Sequence, residues 1–278
     1  MLINNGVGVR AFVRWCDEKG ILYLLPVAPR TLAAFVDDLA ERLTPATIKT
    51  YVAAINRMHR DLDLPLPAGA GVVILAQKRT RRAAVEKGHR PKQATPMRRA
   101  HIDGTLERMG TSLMDLRDAA PYDTLCRAAE LVALHVADVR SQGGDAVAYV
   151  ARSKTDQEGD GDFRFVARYT FERVRAWVKA AGLDDDDPLF VPMSRNDRGK
   201  RLTRRDVARI YKRRVGEDFS AHSTRVSAAV EQRAAGVPTG LIAQAGGWKG
   251  DAIPARYTRH ISAQESGAAI LARRQGRA

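Results

Sequence analysis

The chain has 278 residues, 45% of them hydrophobic, which is enough to bury a sizeable core and fits one large domain or two modest ones. Lys and Arg total 46 against 32 acidic residues, a net charge of +14 that favours a polyanionic partner such as nucleic acid. Cys16 and Cys126 are the only cysteines and lack the spacing of a metal site or disulfide framework, and the most apolar run, ILYLLPVA at 21–28, is too short to cross a bilayer. With no signal-peptide layout at the N-terminus, the expectation is a soluble cytoplasmic protein with no membrane attachment.

Residues 9–19, 30–42 and 45–60 each place apolar side chains three and four apart, which predicts a small bundle of helices, with Thr44 and Pro45 as cap and first-turn signals. In the third, Ile48, Val52, Ile55 and His59 face the core, leaving Lys49, Asn56, Arg57 and Arg60 on faces that could meet DNA. The stretch 77–99 is rich in Lys and Arg, with little bulky apolar content between Val85 and Met97. It reads as a helix end carrying Arg79, Arg81 and Arg82, followed by an exposed basic linker with Lys92. The spacing divides the chain into a helical domain over 1–88, a linker over 89–97 and a second domain over 98–278.

The second domain opens with a predicted helix near 99–110 and a longer one near 114–135. Residues 145–168 alternate as two short strands around an acidic, glycine-bearing turn. Helical patterns resume at 170–182, 203–215, 222–235, 238–246 and 262–274, the last with Ser262 and Glu265 as a capping box and Ala269, Ile270 and Leu271 as an apolar patch. The loop GLDDDDPLF reads as solvated, its acids too clustered for a metal site. In TRRDVARIYKRR, 203–214, Thr203 caps a helix with Val207, Ile210 and Tyr211 inward, so Arg204, Arg205, Arg209, Lys212 and Arg213 crowd the solvated side, as in a helix that enters a major groove.

Chemistry-bearing residues concentrate in a few places. In YDTLCRAAELVALHVADV, Arg127 and Glu130 are three apart, neighbours on a helix face; HSTR repeats the spacing with His222 and Arg225. Lys154 lies in the hairpin SKTDQEGDG, Trp248 in GGWK, and Tyr257 nine residues beyond Trp248. Each alone has an ordinary structural explanation. Arg127, Lys154, His222, Arg225, Trp248 and Tyr257, in that order and spacing, together with AHSTRVSAA, AQAGGWK and RSKT, resemble the tyrosine site-specific recombinase (phage integrase) family over nearly the whole chain.

The resemblance implies a mainly α, two-domain enzyme: a helical-bundle N-terminal DNA-binding domain, and a mixed α/β, mostly helical catalytic domain with a small sheet. It implies that Tyr257 is a nucleophile forming a transient 3′-phosphotyrosyl link, that Arg127 and Arg225 grip the phosphate, that His222 takes the tyrosine proton, that Lys154 protonates the departing 5′ oxygen, and that Trp248 and Glu130 complete the site. The residues make these roles feasible: a phosphodiester repels nucleophiles, and planar guanidiniums neutralise its oxygens without a metal, so no cofactor is expected. The implied partner is double-stranded DNA with an inverted-repeat site, bound by subunits that form a tetramer by exchanging the C-terminal helix. Related members usually carry a further helix before the segment matching VRAFVRWC, where only MLINNGVG stands here, which bears on assembly. Other readings of the same fold are a non-catalytic DNA-binding regulator and a strand transferase like a type IB topoisomerase or telomere resolvase.

Overall fold

The computed structural model describes residues 2–22, 25–90, 93–151, 160–194 and 199–277. The chain forms two compact units, Met1–Lys92 and Gln93–Ala278. The first contains α1 (Leu2–Lys19), α2 (Pro29–Leu39), α3 (Pro45–Asp61) and α4 (Gly71–Glu86), with α1 packed on α3 and α2 on α4. At its centre Phe12 stacks on Trp15 and meets Phe35 edge-on at 5.3 Å between ring centroids, enclosed by Leu32, Val36, Ile48, Val52, Ile55 and Val73. Thr44 caps α3 by accepting the Thr47 N–H, with Pro45 at the first helical position. His59 is buried and fully used: Nε2 accepts from Val27 N at 2.9 Å while Nδ1 faces the Ile55 carbonyl at 2.8 Å.

The basic stretch begins, as expected, in the last turns of a helix, α4, and runs past its end at Glu86. Val73, Ala76 and Thr80 bury one stripe of α4, and its charges lie along the remaining surface. It stops at Gly88, in the left-handed region at φ 74°, where His89 N–H reaches back to the Ala84 carbonyl.

The second unit contains α5 (Arg99–Glu107), α6 (Leu113–Ala119), α7 (Ala128–Leu131), β1 (Val139–Gln142), β2 (Asp145–Val150), β3 (Asp162–Val166), α8 (Arg168–Ala181), α9 (Arg204–Arg214), α10 (Ala221–Ala234), α11 (Thr239–Ala245), α12 (Ala252–Tyr257), α13 (Arg259–Gln264) and α14 (Gly267–Arg274). Its main core gathers Tyr122, Leu131, Trp177, Leu189, Val207, Ile210 and Tyr211. Trp177 sits fully buried on α8 and donates its indole N–H to the Leu189 carbonyl at 2.7 Å.

Three of the expected elements differ. The long helix over 114–135 is broken between Ala119 and Ala128: Pro121 removes a backbone donor, and Asp123 and Leu125 adopt φ 71° and 53°. The break is held by Arg173, which donates to the carbonyls of Ala119 and Tyr122, and by Thr124, whose hydroxyl bonds the Pro121 carbonyl. The sheet has three antiparallel strands in the order β1-β2-β3, because Val139–Gln142 pairs with Asp145–Val150 through the Gly143–Gly144 turn. The C-terminal pattern over 262–274 is two helices: α13 ends at Gln264, Ser266 rather than Ser262 caps α14 by accepting the Ala269 N–H, and Glu265 pairs with Arg233.

Thr203 caps α9 in a reciprocal box with Asp206, and Val207, Ile210 and Tyr211 are buried. At its far end the solvated side is not wholly free. Asp118, completely buried at the end of α6, accepts Arg117 on one oxygen and Arg213 and Arg214 on the other, at 2.6–3.0 Å. Removing this carboxylate would leave the buried Arg117 without an acidic partner and take one from Arg213 and Arg214, of which Arg214 keeps Asp115 and Arg213 is half exposed. Asp118→Ala is expected to lower the unfolding free energy by about 3 kcal/mol, read as a fall in the urea midpoint; an unchanged midpoint would show that water satisfies these arginines.

Candidate active site

The broken helix determines how Arg127 and Glu130 meet. They do not share a helix face: Arg127 is the N-cap of the short α7 and Glu130 its third residue, so one Glu130 oxygen accepts the Arg127 backbone N–H at 2.8 Å and the other pairs with the Arg127 guanidinium. Glu130 is buried, and the pair turns the guanidinium so that Nη2 donates to the Gly247 carbonyl at 3.0 Å.

Arg225 lies on α10, one turn after His222, and is 1% exposed. Its Nη1 donates to the carbonyl of Leu125, the strained residue of the helix break, and its Nη2 to the Gly246 carbonyl at 2.6 Å. Nε has no partner among the described residues. Burial, and then the neighbouring Arg127, push this guanidinium down to about 10. Two arginines therefore stand on the two successive carbonyls of one turn.

That turn ends α11. Gly247, at φ 57°, reverses the chain so that Trp248 N–H reaches back to the Ala243 carbonyl at 2.9 Å. A Cβ on Gly246 would fall 2.0 Å from the Trp248 ring, so glycine is required by space at one position and by conformation at the next. The Trp248 ring lies beneath Arg225, with Cζ 4.6 Å from its centroid, and meets Tyr257 edge-on at 6.0 Å.

Tyr257, the last residue of α12, is 4% exposed, packed with Val226, Ala229 and Ile242, and its hydroxyl is 2.9 Å from His222 Nε2. His222 is open to solvent overall, but this edge of the ring turns inward. Burial, followed by Arg225, Arg256 and Arg127, holds the imidazole below its ordinary 6.5. At neutral pH it is uncharged, and Nε2 can accept the tyrosine proton. The arrangement can bind an anion and deprotonate a hydroxyl aimed at it.

The structure thus brings together Arg127, Glu130, His222, Arg225, Trp248 and Tyr257. Lys154 lies outside the described residues, as does Lys92. Of the residues expected to touch DNA, Lys49, Arg57, Arg60, Arg79, Arg81 and Arg82 are exposed on α3 and α4, and Arg204, Arg205, Arg209 and Lys212 on α9. Some carry acidic partners, Arg57 with Asp61, Arg79 with Asp37, Arg209 with Asp206 and Lys212 with Glu217. Among the described residues no cluster of His, Cys, Asp and Glu could hold a metal ion, and no helix is long and apolar enough to cross a membrane.

One charged residue beside the site was not expected. Arg164, on β3, is 1% exposed, and its guanidinium lies against Gly247. The strand DFRFV reads most simply with its phenylalanines inward, whereas Phe163 and Phe165 are exposed and Arg164 and Val166 are buried. The available signal is on the opposite strand: Ala146 and Ala148, small and on the buried face, leave room for a long side chain, and Ala148 pairs directly with Arg164.

Residues 119–264 match the model of the phage integrase family, and the chain belongs to that family. It is 29% identical over 289 residues to the Cre recombinase of Escherichia phage P1, covering 94% of this chain and 84% of that one, and 28% identical over 240 residues to an integrase/recombinase XerD homolog of Selenomonas ruminantium, covering 77% and 68%. The fold is shared with XerH, a site-specific recombinase crystallised with palindromic difH substrate in a post-cleavage complex, at a TM-score of 0.63 and 16% identity, covering 96% of this chain and 78% of that one.

The His222 environment is directly measurable. An NMR titration of its ring is expected to give a midpoint below 6.5, and Arg256→Gln, which removes one nearby positive charge from an exposed position, is expected to raise it. A midpoint at or above 6.5 in the wild type would show that burial and the neighbouring arginines do not depress the ring.

Proposed function

We propose that this phage integrase family member is a site-specific DNA recombinase that cleaves and rejoins strands through a covalent 3′-phosphotyrosyl intermediate on Tyr257. The observation that carries the reading is the 2.9 Å contact of the Tyr257 hydroxyl with His222 Nε2, beside two guanidiniums anchored on one turn. Arg127 and Arg225 hold the non-bridging oxygens of the scissile phosphate, where charge grows in the transition state. Tyr257 Oη attacks phosphorus as its proton passes to His222; the bond from phosphorus to the 5′ oxygen breaks, and that oxygen leaves as a hydroxyl with a proton from Lys154. Trp248 donates its indole N–H to a phosphate oxygen, and Glu130 fixes Arg127. A 5′ hydroxyl from another strand reverses the steps, so the ester is kept and rejoining needs no ATP.

DNA is the partner that the net charge and the exposed arginines of α3, α4 and α9 favour, with Lys49, Arg57, Arg60, Arg79, Arg81, Arg82 and Lys92 on the N-terminal side and Arg204, Arg205, Arg209 and Lys212 on α9. An inverted-repeat site would seat subunits in pairs, and two pairs make the tetramer that strand exchange needs. Helices α13 and α14 support this: neither buries a residue, and Ile270 and Leu271 on α14 are about half exposed, as for a helix that docks on a neighbouring subunit.

Selection of bound duplex from a random pool supplies the site, and a nicked duplex carrying it traps the covalent step. Wild type should accumulate a denaturant-resistant protein–DNA adduct and Tyr257→Phe none, with affinity unchanged within about threefold, because only a hydroxyl is removed. Arg225→Ala should weaken binding and slow cleavage by about 10²–10³-fold. An adduct formed by the Phe variant would place the nucleophile elsewhere; none formed by wild type on a tightly bound site would favour a regulator.

Deleting residues 262–278 tests assembly separately. The truncated chain should fold and bind a half-site normally, and lose cooperativity on the full site in gel shifts. Unchanged cooperativity would sink helix exchange.

A further inference from the structure

Arg164 occupies a position that sheet packing ordinarily gives to an apolar side chain. It faces inward between Ala146 and Ala148 on one side and the α11 turn on the other. Its Nη1 donates to an Asp162 oxygen and to the Phe163 carbonyl at 3.1 Å, and its Nε has no partner among the described residues. Asp162 is itself 45% exposed, so it offsets little of the cost of taking a guanidinium out of water. An uncharged side chain of similar length would satisfy the sheet better.

Arg164 touches the turn that carries the site. A Cβ placed on Gly247 would fall 1.8 Å from Arg164 Nη2 and 2.5 Å from its Cζ, so the flat guanidinium is pressed on the one face of the turn that glycine leaves bare. The carbonyls of that turn accept Arg225 at Gly246 and Arg127 at Gly247, and the next residue is Trp248. Displacing the turn would move all three groups at once.

We propose that Arg164 is a positioning residue for phosphoryl transfer: its buried guanidinium fixes the Gly246–Gly247 turn, and through it sets the reach of Arg127 and Arg225 and the seat of Trp248. This rests on the phosphotyrosyl reading above. Positioning of this kind acts on rate more than on fold, since a displacement of about 1 Å at a reacting centre costs on the order of 100-fold.

The test variant is Arg164→Met, which keeps a long, flexible stem and removes charge and plane. It should melt at or above the wild-type temperature, bind the selected duplex within about threefold of wild type, and form the covalent adduct about 10- to 100-fold more slowly under single-turnover conditions. Arg164→Lys, keeping the charge without the plane, should fall between the two. A readout free of DNA is tryptophan emission: Arg164→Met should shift it, and the shift should vanish when Trp248→Phe is added. Wild-type adduct formation per folded molecule in both variants would overturn the proposal, and so would failure of both to fold, which would make Arg164 a residue of the sheet alone. Absence of adduct in the wild type would strike the phosphotyrosyl reading instead; the emission shift would then still decide whether Arg164 sets the turn, its absence sinking the idea.

Discussion

Two backbone carbonyls, those of Gly246 and Gly247, accept the guanidiniums of Arg225 and Arg127, and the rest of the site is arranged around that fact. A carbonyl dipole can orient a cation but cannot neutralise it. Among the described residues Glu130 is the one buried carboxylate paired with these arginines, while Arg164 adds a further positive charge whose acidic partner is half exposed. The layer therefore keeps an excess of positive charge in a place where water shields it poorly. Burial first, and this positive neighbourhood second, lower both the Arg225 guanidinium and the His222 imidazole. An anion that entered this layer would find its charge compensated in advance, which is the condition for stabilising charge that develops only during reaction.

The backbone is strained where the site needs it to be. Leu125, a non-glycine residue at φ 53°, turns its carbonyl toward Arg225, and Asp123 takes φ 71° two residues earlier. Each such residue costs on the order of 1–3 kcal/mol, and the cost is met by contacts outside the site: Arg173 bonds the carbonyls of Ala119 and Tyr122, and Thr124 bonds that of Pro121. The same break makes Arg127 an N-cap, so that Glu130 holds both its backbone and its side chain.

What could be read from the sequence follows the range of the interactions involved. Capping at Thr44 and Thr203, the buried stripe of α3 and the inward set Val207, Ile210 and Tyr211 are decided within a turn or two of chain, and local spacing revealed them. The six site residues that the structure brings together were legible as an ordered set of types, though not as geometry: the helix break that orients Arg127 depends on Arg173, some fifty residues away. Arg164 was hidden for the same reason. Its inward direction is fixed by pairing with Ala148 and by the space at Gly247, and nothing within DFRFV itself distinguishes that register from the one that buries the phenylalanines.

The same segment also ties recognition to chemistry. Asp118 closes α6 and grips Arg213 and Arg214 at the end of α9, and nine residues later the chain reaches Arg127. Tyr211 of α9 packs on Tyr122 within that interval at 5.0 Å between ring centroids. On the proposed reading, the helix that meets the DNA and the arginine that grips the scissile phosphate are thus both tied to one stretch of chain, 117–127. A recombinase must cut at a fixed distance from the bases it reads, because strands cut elsewhere would not pair after exchange. A buried carboxylate with three arginines, rather than an apolar contact free to slide, suits that demand, since ion-pair geometry fixes a register that hydrophobic packing alone leaves looser.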